Sequence, residues 1–304
     1  MLMKNLKSLL PVVIIALTAG FTSCGSDDDP SEQTPKVVNV NANDGKANVY
    51  TARMEFPNVS SPKVRVLVNS TSDYGVNYSV GWDDELKSQR YSCYAMYNGN
   101  SVVHTSRWYA DASKGETQYP IDERIPSQYR ISGDPFWGSG YDHGHICPSA
   151  DRLCSREANI QTFYLSNMQP QVNKFNAGVW SNMEQRVRSW NTYSFRDTLY
   201  VCKGGTIAAT AGCPDAVAQV RGQGWIIPKY YFMAILCKNA SGYKALGFWV
   251  EHKANEDGDL AKYVVNIDDL ERRTGLDFFC NLPDDVENKI EALPVENVKT
   301  AWGF

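Results

Sequence analysis

Between Asn176 and Arg188 the sequence carries two helical stripes, and this pattern constrains the fold more than any other feature. Apolar residues recur at intervals of four, four and three, which predicts a helix face packed on a core; they are Val179, Met183, Val187 and Trp190. Asn176, Trp180, Glu184 and Arg188 form a neighbouring polar-rich face. The segment is therefore expected to be a helix with one face buried and the other free for chemistry.

The second face allows two interpretations. A Glu and an Arg four residues apart on a helix often form only a surface ion pair. Alternatively, Asn176, Glu184 and Arg188 surround a hydrated Mg²⁺ ion and a phosphate, because Mg²⁺ keeps water ligands and Arg binds phosphate oxygens in pairs.

Upstream, the tetrapeptide Asp142-His143-Gly144-His145 places two histidines two residues apart. His145 is the candidate general base, because a neutral imidazole can take a proton from water near neutral pH. Asp142 could orient a ring or cap the turn, and Gly144 permits a tight backbone between side chains that point apart. By itself the tetrapeptide is weak evidence. A structural histidine is the default interpretation, and a His-x-His metal pair is another.

Strand patterns dominate the rest of the chain and predict an α+β fold, with a mixed, mainly antiparallel central sheet flanked by helices. Strands are expected at residues 63–69, 74–80, 90–97, 102–105, 197–203, 230–237 and 244–250. Asn98-Gly99-Asn100 predicts a hairpin turn between the third and fourth of these strands. Residues 266–275 predict a helix ended by a glycine, and Pro283 opens a further helix.

Composition indicates a globular protein without a marked charge. The 304 residues are 43% hydrophobic and carry a formal net charge of −4. Overall charge therefore gives no hint of nucleic-acid binding, although a local basic cleft remains open. Residues 81–295 are expected to form the main domain, and residues 37–80 either a small β-rich appendage or an edge contribution to the main sheet.

The N-terminus predicts export. Residues 1–23 combine two lysines with a short apolar run, which is typical of a signal peptide and too short to span a membrane. The run is followed by Cys24 in a sequence that resembles a bacterial lipoprotein box, with an ordinary secretory signal as the alternative. Residues 24–36 form an acidic tether that resembles the surface-export signal of Bacteroidota lipoproteins. We expect a protein anchored to the outer membrane through a lipid on Cys24 and exposed at the cell surface.

Seven further cysteines follow Cys24. In an exported protein some of them are expected to pair, and an odd number leaves at least one without a partner in the chain. The expected local bridges are Cys202–Cys213 and Cys147–Cys154.

The central motifs resemble the DNA/RNA non-specific endonuclease family of the ββα-metal, or His-Me finger, superfamily. Three pieces match in order: residues 142–145 an Asp-Arg-Gly-His signature, residues 167–171 Asn-x-x-Pro-Gln, and residues 176–188 Asn-x-Gly-x-Trp-x-x-x-Glu-x-x-x-Arg. Looser similarity covers about residues 80–290. The resemblance implies a ββα-metal active-site motif and hydrolysis of phosphodiester bonds in DNA and RNA with Mg²⁺, for which Mn²⁺ can substitute.

The resemblance also implies roles for the matching residues. His145 would activate the attacking water, and Asn176 would be the direct protein ligand of Mg²⁺. Glu184 would hold waters of the metal, and Arg188 would stabilise charge on the phosphate. Nucleic acid would be bound through its phosphate backbone, the membrane only through the lipid on Cys24, and no protein partner is expected.

Four assignments complete the predicted site. Asn167 is assigned to catalysis and Gln171 to the metal, both shaping the site around the ion. Arg107 is the best candidate for an upstream arginine that binds the substrate. His143 stands where the family usually has Arg, which would reduce the positive charge offered to the phosphate. Two other arginines compete with Arg107: Arg124 and Arg130.

Three alternatives remain open. A phosphodiesterase or phosphatase for small nucleotides could use the same core, and a narrow pocket would favour it. A surface lipoprotein that binds nucleic acid could have lost catalysis through His143. A Zn²⁺ enzyme built on His143 and His145 is disfavoured, because no third ligand lies at a usual spacing.

Overall fold

The computed structural model describes residues 38–60 and 62–304. The predicted signal peptide and acidic tether at residues 1–36 lie outside these ranges. None of the helices within the ranges combines the length and the apolar character needed to cross a membrane.

A seven-stranded antiparallel sheet forms the centre of the molecule, and this confirms the predicted α+β class. Its strands, in the order in which they lie side by side, are β1 (Arg65–Thr71), β2 (Gly75–Asp83), β3 (Ser88–Tyr97), β6 (Thr198–Gly205), β9 (Tyr230–Asn239), β10 (Gly242–Glu251) and β11 (Val264–Val265). Two smaller strand pairs lie outside it, namely β4 (Asp142–His145) with β5 (Met168–Gln171), and β7 (Val217–Arg221) with β8 (Trp225–Pro228).

Helices cover both faces of the large sheet. They are α1 (Arg156–Gln161), α2 (Ser181–Trp190), α3 (Ile267–Thr274), α4 (Asp284–Glu291) and α5 (Val295–Trp302). Because successive strand residues point to opposite faces, β9 supplies Met233 and Ile235 to the core beneath α2, and Phe232 and Ala234 to the core beneath α3. Burial on both faces explains why the 230–237 run is almost wholly apolar.

The helix predicted from Asn176 begins in a different form. Residues Phe175–Trp180 make a π-helical segment that leads directly into α2. Inside it, Gly178 has φ −100° and ψ −116°, and a Cβ on this residue would lie 2.2 Å from the backbone oxygen of Asn255. Only glycine leaves room for the Asn255 backbone at this distance. The glycine of the motif therefore determines how the backbone around residue 255 packs against the start of the helix.

Two of the predicted domain limits do not coincide with boundaries in the structure, and of the two alternatives for residues 37–80 the structure shows the edge contribution. Strands β1 and β2 belong to the main sheet, so residues 37–80 contain an edge contribution and not a separate appendage. A boundary between residues 80 and 81 would also cut through β2. At the other end, α5 lies beyond residue 295, yet Trp302 is buried in the core and donates a hydrogen bond to the carbonyl of Ala245.

The hairpin and the disulfides were also predicted wrongly. The chain does turn after β3, but residues 102–105 form no strand, and β3 pairs instead with β6. The seven cysteines of the described chain are all unpaired and buried. Cys202 points into the core beneath α3, while Cys147 lies in the opposite core, where each acts as a small apolar side chain.

Candidate active site

The strand pair β4–β5 and the helix that follows it form one wall of an open cavity of about 820 Å³. The strands place Asp142, His143 and His145 along this wall, and the π-helical segment with α2 brings Asn176 and Glu184 to face them. Gly144 lies between the histidines because a Cβ there would collide with the Gln171 side chain at 2.4 Å. This close packing of β4 on β5 holds both histidines on the cavity side.

His145 lies at the base of the cavity, against the edge of the Phe163 ring. Its Nε2 is buried without a hydrogen-bond partner among the described residues. The pKa of His145 is lowered to about 3, chiefly by burial and then by the positive charge of Arg107, while a hydrogen bond with the His143 backbone opposes both. The ring is therefore neutral at ordinary pH, with an unused nitrogen able to accept a proton.

Asn176 is oriented by the first residue of β4. Its Nδ2 donates to the Asp142 Oδ2 at 3.0 Å, and Asn173 donates to the same oxygen. No described residue donates to the Asn176 Oδ1, which is the better metal ligand of the two amide atoms because it is a hard oxygen. Asp142 thus fixes the amide so that its oxygen remains available.

Glu184 is paired with a buried lysine. The Lys203 Nζ donates to the Glu184 Oε1 at 2.8 Å and lies 4.9 Å from the centre of the Trp180 ring. Burial raises the pKa of Glu184, and Lys203 opposes this rise. Lys203 thus opposes protonation of a carboxylate at the cavity wall, and the Glu184 Oε2 has no hydrogen-bond partner in the described chain.

Arg188 lies one helical turn further along α2. Its Nη1 donates to the Asp151 Oδ1 at 3.0 Å, and the Tyr94 hydroxyl donates to the other oxygen of that carboxylate at 2.8 Å. Burial lowers the pKa of Arg188, but Asp151 outweighs this effect and the pKa is raised overall. Asp151 therefore anchors one side of a charged guanidinium whose remaining donors can face the cavity.

Arg107 lines the same cavity as Arg188, and its guanidinium lies 4.8 Å from the centre of the Phe163 ring. The competing arginines lie elsewhere: Arg124 forms an ion pair with Asp122, and Arg130 donates to the carbonyls of Asp122 and Ile125. Of the three candidates, Arg107 is the one that lines the cavity.

His143 is held more tightly than a substrate-binding arginine would be. Its ring is stacked between Tyr119, at 3.6 Å between ring centres, and Phe136, at 4.5 Å. Its Nε2 lies 2.9 Å from the Asp134 Oδ2. A neighbouring carboxylate thus reduces whatever positive charge this position offers to a bound phosphate.

Two predicted site residues do not line the cavity. Every polar side-chain atom of Asn167 is used in structural hydrogen bonds, with Cys147, Thr162 and Ser92. Gln171 is fully buried behind β4, against Gly144. The side-chain positions of Asn167 and Gln171 therefore differ from those expected of a catalytic group and a direct metal ligand, and both act on the site through the strands they hold.

Sequence reasoning missed the residues that orient the predicted ones. They are Lys203, Asp151, Asp134, Tyr119 and Asp142 in its role toward Asn176. The only local signal was the charge of Lys203 in an otherwise apolar strand, because a buried lysine requires a partner.

The residues present fit a small hydrated cation. An amide oxygen without a donor, on Asn176, and a carboxylate with one free oxygen, on Glu184, line the same open cavity. Mg²⁺ commonly takes one or two protein oxygens and keeps several waters. Asn176 would be the direct ligand and Glu184 would hold the waters.

A two-stranded antiparallel pair followed by a helix, with a histidine and an asparagine facing one cavity, defines a ββα-metal type of site. A family model, "DNA/RNA non-specific endonuclease", matches residues 63–285. The chain belongs to this family.

Known relatives are similar over most of the same region. Human mitochondrial endonuclease G is 31% identical over 186 residues, which are 59% of this chain and 62% of the relative. A nuclease of Nostoc is 28% identical over 62% of this chain and 68% of its own length. Nuclease C1 of Cunninghamella echinulata is 31% identical over 62% of this chain and 77% of its own length. The chain thus spans somewhat less than two thirds of human endonuclease G.

A solved structure shares the fold. EndoG, in a crystal structure of the EndoG/EndoGI complex, matches with a TM-score of 0.58 at 22% identity, covering 71% of this chain and 86% of that one. At this identity the match supports the fold alone.

Proposed function

We propose that this chain is an Mg²⁺-dependent endonuclease that hydrolyses the phosphodiester bonds of both DNA and RNA. One observation carries the proposal: a neutral histidine, an unengaged amide oxygen and two arginines converge on the same open cavity. These are the parts that a hydrolytic attack on a phosphodiester requires, namely a base, a place for a metal and donors for the phosphate.

His145 is the general base in this proposal. Its Nε2 accepts a proton from the water that attacks phosphorus, which requires the ring to be neutral before the reaction. The lowered pKa supports that state, because the ring stays unprotonated across the neutral range. The nearby charge of Arg107 also disfavours protonation in the absence of the negatively charged substrate.

Asn176 and Glu184 hold the metal. When bound, Mg²⁺ supplies positive charge to the phosphate and to the leaving oxygen. Mn²⁺ can substitute, since it accepts the same oxygen ligands. Lys203 and Asp142 keep the two side chains in place before the ion binds.

Arg188 and Arg107 bind the phosphate, and His143 contacts it from β4. Such contacts reach the backbone and not the base edges, so they do not distinguish one sequence from another. Because these contacts involve neither the bases nor the sugar, they support cleavage of DNA and RNA alike.

The shape of the cavity favours a polymer over a small nucleotide. It is an open cleft lined by Arg107, the two histidines and Arg188, among others. A strand can pass through such a cleft with residues on both sides of the scissile bond. A phosphodiesterase for small nucleotides would benefit from a narrower, closed pocket.

The Asp134–His143 pair favours one alternative, a protein that binds nucleic acid without cutting it. The carboxylate lies within hydrogen-bond distance of the ring that stands in the place of the usual Arg. Cleavage would be weakened if that position supplied most of the charge on the phosphate.

Plasmid nicking and RNA degradation test the proposal, with Mg²⁺ and with EDTA. We expect metal-dependent cutting of both substrates by the wild-type chain, and a loss of roughly 100- to 10,000-fold in His145→Ala. His104→Ala is the matched control, because His104 lies outside the cavity on the hydroxyl of Tyr74. Binding without cutting, across several metals and pH values, would establish the alternative instead.

We also propose that the protein is exported and held at the outer membrane by a lipid on Cys24, facing the outside of the cell. The support is the sequence of residues 1–36. Metabolic labelling with a radioactive fatty acid should mark the wild-type chain and leave Cys24→Ala unlabelled, whereas labelling of both would contradict the anchor.

A further inference from the structure

A cluster of carboxylates lies on the far side of the main sheet, where α3 meets the end of α4. Asp268, Glu271 and Glu291 each offer one oxygen, and these oxygens all lie within 4.8 Å of one another. Two oxygens bound to the same Ca²⁺ at about 2.4 Å are separated by at most about 4.8 Å. The spacing therefore suits one ion of this size.

Glu291 provides a second, independent observation. Its side chain is only 5% exposed, and its Oε1 has no hydrogen-bond partner among the described residues. A buried carboxylate oxygen without a donor is unfavourable, and Glu291 is also the last residue of α4, where the helix dipole repels negative charge. A cation bound to Glu291 would offset both the unpartnered oxygen and the unfavourable interaction with the helix dipole.

The two arginines that follow Glu271 do not neutralise the cluster. Arg272 and Arg273 both form ion pairs with Asp269, on another face of α3. Further acidic groups lie close by instead, since Asn41 donates to both Asp277 and Glu287. Negative charge therefore accumulates where residues 38–60 meet the C-terminal helices.

We propose that Asp268, Glu271 and Glu291 form a Ca²⁺ site that joins α3 to α4. Asp268 is exposed, so water ligands can complete the six to eight oxygens that Ca²⁺ takes. The site lies apart from the catalytic cavity and shares no residue with it, so its role is structural.

One rival state has the same geometry without an ion. The pKa of Glu291 is raised to about 10, chiefly by burial and then by the neighbouring carboxylates. Protonated carboxyl groups would then share the space, and Ca²⁺ would have no effect on the protein.

Calorimetric titration with Ca²⁺, combined with thermal unfolding, separates the two states. The test uses the chain carrying Asn176→Ala, which removes the predicted direct metal ligand of the catalytic cavity. We expect one Ca²⁺ per chain and a rise in Tm of roughly 5–10 °C at a hundredfold excess over Kd. Adding Asp268→Asn or Glu291→Gln should abolish both effects, while Glu296→Gln, at an exposed carboxylate on α5, should leave them unchanged.

Asp268 is exposed, so Asp268→Asn keeps the test interpretable if Glu291→Gln unfolds. The proposal is overturned if the Asn176→Ala chain binds no Ca²⁺, or if binding persists in the cluster variants. It is also overturned if Glu291→Gln is more stable than its parent at neutral pH while the parent does not respond to Ca²⁺.

Discussion

Removing the charge of Lys203 should destabilise the protein through Glu184. Lys203 is 1% exposed, and its Nζ lies 2.8 Å from the Glu184 Oε1. The variant Lys203→Met keeps an unbranched side chain of similar length but leaves the carboxylate without its counter-charge. Breaking a buried pair in this way costs about 3–5 kcal/mol. Because the Glu184 side chain retains 13% exposure, we expect the lower end, about 3 kcal/mol.

The loss of stability in Lys203→Met should increase with pH. Burial already raises the pKa of Glu184, and Lys203 opposes that rise, so the pKa increases further in Lys203→Met. A carboxyl group with a raised folded-state pKa stabilises the fold below its unfolded pKa, and this contribution is lost as the pH rises through the folded pKa. The deficit of Lys203→Met should therefore be largest near pH 8 and shrink toward pH 5.

Urea unfolding in EDTA at both pH values measures this deficit. Lys229→Met is the matched control, because Lys229 pairs with Asp215 at the surface and should change the midpoint little. When Glu184 is already replaced by Gln, Lys203→Met should lower the free energy of unfolding by much less than about 3 kcal/mol, because there is no carboxylate to lose its partner. Equal stability of Lys203→Met and Lys229→Met at pH 8, or a deficit that does not vary with pH, would refute the reasoning.

Three further outcomes follow from the cavity. Because burial and Arg107 hold the pKa of His145 at about 3, kcat/KM should show no acid limb from this group between about pH 5 and pH 8; a limb near pH 6.5 that vanishes in His145→Gln would contradict this. His143→Arg should raise kcat/KM on RNA about tenfold, which corresponds to an activation free energy lower by ~1.4 kcal/mol. A decrease would show that the contact with Asp134 requires the imidazole. Trp137 lines the cavity and is 87% exposed, so a base of single-stranded DNA can stack on it. Such stacking contributes about 1–3 kcal/mol, so Trp137→Ala should raise KM for single-stranded DNA roughly 5- to 150-fold without changing kcat. A change in kcat alone would argue against stacking.

Features encoded by neighbouring residues could be predicted from the sequence. The apolar stripe of α2 is buried as expected, at Met183, Val187 and Trp190. The helix predicted at 266–275 is α3, and Gly275 ends it with a φ of 70° that glycine adopts without strain. Both signals depend only on spacing within one element.

Features that depend on contacts between distant parts of the chain could not be predicted from the sequence. After β3 the local turn signal is real, since the Asn100 side chain bonds to the backbone of Tyr97 and Ala95. The strand that pairs with β3 is nonetheless β6, about a hundred residues later, and no turn residue encodes that choice. The partner of Glu184 comes from the same distant strand, so Lys203 was invisible to an analysis of spacing along the helix.

The structure brings some of the predicted site residues to the cavity and buries others behind it. A strand alternates its side chains, but the sequence does not say which of two polar positions faces the core. Gln171, at the end of β5, is buried against Gly144, whereas Asp142, at the start of β4, lines the cavity.

The Mg²⁺ dependence of cleavage in two asparagine variants tests the central claim most directly. Asn176 and Asn173 both donate to the Asp142 Oδ2, but only Asn176 lines the cavity. The account predicts that Asn176→Ala loses more activity than the roughly 10- to 100-fold typical of an outer partner, with partial recovery at high Mg²⁺, while Asn173→Ala stays near wild type. Equal activity of the two variants, or an unchanged Mg²⁺ requirement in Asn176→Ala, would contradict the assignment of the metal to this cavity.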